Sequence, residues 1–150
     1  MGSFSVTGHY RCGRCNVCQY TTNSKQVDLK LDKPWRQNRH TNCNSKNVIY
    51  LAACPCGLRY VGMTGRAVKL RIQEHLSNIR CKRNTTKMSS QCIEQKHTDK
   101  NMTWTVIEQV IRPMKNIENT LYEKKQRWIY KLPTYRELNH EIMWNTICLK

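Results

Sequence analysis

Phenylalanine is almost missing from this chain, with one residue in 150. A hydrophobic core must therefore be drawn from Leu, Ile, Val, Trp and Tyr. Acidic residues are also scarce, 10 against 26 Lys and Arg, which leaves a formal net charge of +16. The positive residues are spread along the chain rather than gathered in a tail. Such a surface attracts polyanions, and nucleic acid is the expected partner. No apolar run approaches a membrane span, and MGSFSVTGHY has no signal-peptide core. Val6 stands where the myristoylation motif needs Ser or Thr. These absences argue against membrane attachment and secretion. With DNA as the expected partner, they point to a nuclear or cytoplasmic protein. A chain of this length holds one domain and a small appendage.

Cysteine is plentiful by contrast, with nine residues, and they are clustered. Cys12, Cys15 and Cys18 stand at two successive C-x-x-C spacings, which bring thiolates within reach of one tetrahedral ion. Three cysteines need one further ligand. Cys43 is the natural candidate and His40 the alternative. The intervening segment is polar, with Val27, Leu29, Leu31 and Trp35 as its few large apolar side chains, so it needs a staple. Within it VDLKL alternates and suggests a short strand. The spacing predicts a structural zinc site in an N-terminal lobe over residues 1–46.

The second unit, residues 47–145, opens on two β-type runs. Val48 to Ala53 and Leu58 to Gly62 face each other across a Cys54-Pro55-Cys56-Gly57 turn. A helix is expected from Arg66 to Ile79, with Val68, Ile72, Leu76 and Ile79 as its buried stripe. Arg71 and His75 lie four residues apart on that helix and share one face. Either alone reads as a solvated side chain, and a lone strand tyrosine reads as packing. Their conjunction with Tyr50 and Tyr60, one in each strand, points to phosphodiester chemistry.

Those residues resemble the GIY-YIG nuclease superfamily. Its first motif reads Val48-Ile49-Tyr50, with the glycine absent, and its second reads Tyr60-Val61-Gly62. The stretch CPCGLRYVGMTGRAVKLRIQEHLSNIR, preceded by CGRC, is similar to the endonuclease domain of Penelope-like retroelements. The resemblance implies metal-dependent hydrolysis of DNA phosphodiesters, and a reverse transcriptase domain as a companion in a longer parent element. It implies that Tyr50 and Tyr60 orient and deprotonate the attacking water, with either as the base. Arg71 would clamp the phosphate and His75 would assist. Arg59, Arg66 and Lys69 flank the motifs and are assigned to the substrate. A carboxylate would hold magnesium or manganese.

The last predicted helix, residues 116–132, departs from that pattern. Its apolar stripe is Ile117, Leu121, Trp128, Ile129 and Leu132, and Pro133 stops it. In relatives with a Trp-Ile pair here, the metal-binding Glu stands three residues before the Trp. In this chain that residue is Lys125. Glu123 is the nearest substitute, but two residues on a helix is about 200° of rotation, so it should face away. Glu118 is a second, more distant one. The family's Pro-x-Gly-Leu-Asn segment is replaced by Thr134-Tyr135-Arg136-Glu137-Leu138-Asn139, in which Asn139 matches the family's late catalytic Asn.

Between the two helices, residues 81–101 are polar and basic, with a short helix expected around residues 89–95. Lys82, Arg83, Lys87 and Lys96 suit phosphate contacts. Cys81, Cys92 and His97 match no metal template. MTWTVIEQV reads as a third strand with Trp104, Val106, Glu108 and Val110 on one side. The tail, residues 141–150, has an apolar face. The expected architecture is α+β, a small antiparallel three-stranded sheet flanked by helices, with a zinc-stapled lobe. The expected function is a retroelement-derived endonuclease impaired by Lys125. The alternative is a non-catalytic zinc-containing module that binds nucleic acid or a partner.

Overall fold

A computed structural model describes residues 6–37, 39–82, 101–111, 116–134 and 139. The β-branched and aromatic run Val48–Ala53 forms the central strand of a three-stranded antiparallel sheet. Taking the short strands β1 (Gly8–His9) and β2 (His40–Thr41) first, this central strand is β3. It pairs on one side with β4 (Arg59–Thr64) and on the other with β5 (Thr103–Gln109). Helix α1 (Val68–Arg80) follows β4, and helix α2 (Ile117–Lys131) follows β5. The fold is therefore α+β, with a three-stranded antiparallel sheet and two helices among the described residues.

Each sheet face is covered by one helix. Tyr50, Ala52, Trp104 and Val106 pack with Val68, Ile72, Leu76 and Ile79 of α1. Ile49, Leu51, Val61 and Ile107 pack with Leu121, Trp128 and Ile129 of α2. The alternation expected for the third strand is broken partway. Ile49 pairs with Glu108 but Tyr50 pairs with Val106, so Ile107 is an extra residue in β5. This β-bulge puts Ile107 and Glu108 on one face. Trp104 and Val106 face α1 as the alternation predicts, whereas Glu108 and Val110 face α2.

The expected strand at VDLKL reduces to a single bridge between Val27 and Trp35, because Lys30 has φ 58° and turns the chain back. The N-terminal segment shares both cores with the sheet, through Val17, Tyr20 and Cys43 on one face and Leu29 on the other. It also covers the outer edge of β5. Thr22 N–H donates to Trp104 O at 3.3 Å, Gln37 Nε2 to Val106 O at 3.0 Å, and Trp35 Nε1 to Ile107 O at 2.7 Å. The outer edge of β4 is covered by Asn139, whose Nδ2 donates to Val61 O and whose Oδ1 accepts from Val61 N–H. Side chains and turns thus occupy the β5 edge and the middle of the β4 edge, which hinders pairing with a foreign strand.

Cys12, Cys15, Cys18 and Cys43 come together, with all four sulfurs within 4.8 Å of one another. Cys18 Sγ lies 3.6 Å from Cys12 Sγ, 3.6 Å from Cys15 Sγ and 3.8 Å from Cys43 Sγ. Four thiolates held tetrahedrally at about 2.3 Å from zinc stand about 3.8 Å apart, so the set could hold such an ion. Gly13 N–H and Arg14 N–H point at Cys18 Sγ and Cys12 Sγ, as donors suited to thiolates. Hydrogen bonding to backbone, from Cys15 first, draws the Cys18 thiol below its ordinary range, while burial pushes Cys43 above its own. A bare cluster therefore resists holding four negative sulfurs, and a cation relieves that resistance. His40 is not a ligand here. It is exposed, stacks on Tyr10 at 5.0 Å and bonds Val6 O through Nδ1.

Elemental analysis of the purified chain should give about one zinc per molecule. Cys15→Ser should lose it and lower the melting temperature by roughly 10 °C or more, since the cluster shares a core with the sheet. An unchanged melting temperature in a zinc-free Cys15→Ser protein would contradict the staple.

Candidate functional site

The hairpin positions two tyrosines on one face of the sheet. Tyr50 is central on β3 and fully buried. Its register partner on β4 is Gly62, and the pairing is intimate. A Cβ at Gly62 would lie 2.3 Å from the Tyr50 ring and hydroxyl. The second motif therefore needs glycine because the tyrosine of the first lies flat across it. Tyr60, two residues earlier on β4, puts its ring 6.4 Å from that of Tyr50.

Helix α1 brings Arg71 and His75 to these rings. Its first turn is capped by carbonyls from the cysteine loop, since Val68 N–H donates to Ser45 O and Lys69 N–H to Cys43 O, both at 2.9 Å. His75 Nε2 lies 2.8 Å from the Tyr50 hydroxyl. Its ring also meets Tyr60 edge-on at 5.9 Å and stacks on Trp104 at 6.2 Å. Burial first, and the neighbouring Arg71 second, depress the His75 pKa to about 3. The imidazole is therefore neutral at physiological pH, and its Nε2 shares a hydrogen bond with the Tyr50 hydroxyl. Nδ1 is buried without a hydrogen-bond partner. Burial likewise raises Tyr50 far above the usual tyrosine range, with Tyr60 adding to the effect and Arg71 opposing it.

Arg71 is part-exposed, and its Nη1 donates to Glu74 Oε1 at 2.9 Å. Arg66 Nη2 donates to the other oxygen of the same carboxylate at 2.7 Å. The two guanidinium groups border an open groove of about 580 Å³ that also exposes Leu70, Gln73 and Ser77. The organising role of Glu74 was missed in the sequence, although its spacing of three from Arg71 is a recognisable helix pair.

Helix α2 contributes the last member. Lys125 is only 9 % exposed, and its Nζ lies 5.9 Å from the centroid of the Tyr60 ring. Burial first, and then Arg71, lower its pKa to about 8. The azimuth of α2 is set by Glu108, whose carboxylate accepts from Lys124 Nζ at 2.7 Å and from Trp128 Nε1 at 2.8 Å. Position 125 therefore faces Tyr60, within electrostatic reach of Arg71 and His75. No protein family model, curated protein or solved structure matches this chain.

Several assigned residues stand elsewhere. Glu123 is exposed, as its rotation from Lys125 requires, and it does not join the site. Glu118 is also exposed, two residues past the cap Asn116, whose side chain accepts from its N–H as the helix begins. Among the described residues, the four cysteines are the one group that could hold a metal ion. A catalytic magnesium or manganese ion does not fit the residues around Tyr60, where Lys125 and Arg71 supply positive charge. Arg59 is a structural tie, because Nη1 donates to Leu29 O and Nη2 to Leu132 O, both at 2.9 Å, joining the lobe to the end of α2. Asn139 is fully buried on the β4 edge, with its amide given to the Val61 backbone. Arg59 was assigned as a neighbour of the motifs and Asn139 by its match to the family's late Asn, and neither ground reveals which way a side chain points. Lys69 is half-buried in the first turn of α1, and Lys82 and Cys81 are exposed. Arg83, Lys87, Lys96, Cys92, His97, the helix expected near 89–95, residues 135–138 and the tail lie outside the described residues.

Two expectations follow. Gly62→Ala should destabilise the fold by about 1–3 kcal/mol, because its methyl group displaces the Tyr50 ring. Urea unfolding of that variant, read against the same change paired with Tyr50→Ala, should show the two penalties to be strongly non-additive. The second concerns acid. His9, held by burial at about 4, and His75, at about 3, both lie below their unfolded value near 6.5. Between those limits the unfolded chain binds more protons, so stability should fall as pH drops from about 6.5 toward 3. A urea midpoint that is flat from pH 7 to pH 4 would contradict neutral burial of both rings.

Proposed function

We propose that this chain is a GIY-YIG-type DNA endonuclease domain of retroelement origin, acting in the nucleus or cytoplasm, whose hydrolytic step is impaired. The observation that carries the reading is the convergence of Tyr50, Tyr60, Arg71, His75 and position 125 from two strands and two helices. A nuclease of this type needs a charged group to grip the scissile phosphate, a hydroxyl to orient water and a cation near the leaving oxygen. Arg71 and Tyr60 supply the first two. Position 125 holds an amine where the third would need a carboxylate. Lysine repels a divalent cation, so phosphate is gripped and hydrolysis is lost or slow.

The high positive charge supports DNA as the polyanion, since phosphate contacts supply most non-specific affinity. Reverse transcriptase, as a companion in a longer parent protein, belongs to the same reading.

Supercoiled plasmid with magnesium is the direct test. The natural chain should bind it in a strongly salt-dependent manner and nick it no faster than Arg71→Ala. Lys125→Glu should raise nicking by roughly tenfold or more, by admitting a cation. Robust nicking by the natural chain that vanishes in Arg71→Ala would overturn the impairment. Binding with no gain from Lys125→Glu would favour a non-catalytic zinc-containing binding module instead.

A further inference from the structure

We infer that Lys125 and Arg71 form a phosphate-binding site that works without any divalent cation. This deepens the reading above by naming how the site holds its ligand, and it rests on that reading only for the identity of the larger polymer. The inference starts from an unbalanced charge. Lys125 is nine-tenths buried, and among the described residues no carboxylate pairs with it. Glu74 is already shared between Arg66 and Arg71, and Glu108 is taken by Lys124 and Trp128. The hydroxyl of Tyr50 is engaged with His75.

An amine buried within the electrostatic reach of a guanidinium is costly, and proteins normally supply a partner for it. The face of Tyr60 offsets little of that cost at 5.9 Å. A tetrahedral oxyanion offsets far more. Its oxygens accept at once from the three donors of an ammonium and the fork of a guanidinium, and the two groups come from different helices. The ammonium depressed by burial regains its proton affinity when that anion arrives. Lys125 then stands in for the charge of a metal ion: it holds the phosphate but carries no bound water and cannot lower a water's pKa.

The test uses the full zinc-loaded chain in magnesium-free buffer and two probes, inorganic phosphate and the phosphodiester thymidylyl-thymidine. Calorimetric titration should detect both, with added magnesium leaving the affinities unchanged. Lys125→Met should weaken them at least tenfold, and Lys125→Arg should retain them. Lys125→Glu should abolish binding without magnesium. Far-ultraviolet circular dichroism and the melting temperature confirm that each variant is folded, and Lys125→Arg keeps the test valid should Met disturb packing. Equal phosphate affinity in Lys125→Met, or binding by the natural chain only with magnesium, would overturn the site. Binding of inorganic phosphate alone, with the phosphodiester refused, would overturn a role with nucleic acid while upholding the site. Plasmid binding retained while Lys125→Met leaves the phosphodiester affinity unchanged would uphold the DNA reading and overturn this one.

Discussion

One residue couples the lobe to the helix that carries the site. Cys43 offers its sulfur to the four-thiol cluster and its carbonyl to the N–H of Lys69. Helix α1 has no side-chain cap, so this carbonyl and that of Ser45 fix where the helix begins. Its starting point sets the rotation of Arg71 and His75, one and two turns further on. Gln73 to Asn16 and Arg80 to Tyr20 repeat the connection along its length. The lobe is therefore better described as the outer wall of the sheet domain than as a separate attachment. It also closes the exposed edge of β5, which a three-stranded sheet cannot leave bare without risk of pairing with another chain.

The interior of the site is built to stay neutral where it is dry and positive where it opens. His75 and Tyr50 form the dry end, both held uncharged by burial. Arg71 and Lys125 form the charged end, with Arg66 and Glu74 at the rim. Tyr60 and Trp104 flank the His75 ring, while Arg66, Arg71 and Glu74 line the open groove.

Much of this was legible in the sequence. The strand at 48–53, a returning strand expected at 58–62 and found at 59–64, the helix carrying Arg71 and His75, and the four cysteines follow from alternation, from helical spacing and from C-x-x-C geometry. The outward rotation of Glu123 followed from helix arithmetic alone. What escaped depends on contacts far apart in the chain. The bulge at Ile107 reversed Glu108 and Val110, and no local pattern in TWTVIEQ announces an extra residue. Arg59 looked like a substrate contact because arginine is a phosphate binder, yet two carbonyls from distant segments claim it. Asn139 looked catalytic by its match to a motif, yet it serves as an edge clamp. The close fit of Tyr50 over Gly62 was hidden in the register of the hairpin, which gives a motif glycine a steric meaning.

The bulge in β5 has an evolutionary consequence. By turning Glu108 toward α2, it secures Lys124 and Trp128 on either side of position 125. The helix is thus anchored by its neighbours and not by Lys125 itself. The seat at 125 is thus aimed by its neighbours, and on the proposed reading loss or recovery of a carboxylate there needs no compensating change in the scaffold. Lysine and glutamate codons differ by a single base. On the proposed reading, a cutting enzyme and a gripping one are separated by one mutational step, in either direction, on an unaltered fold.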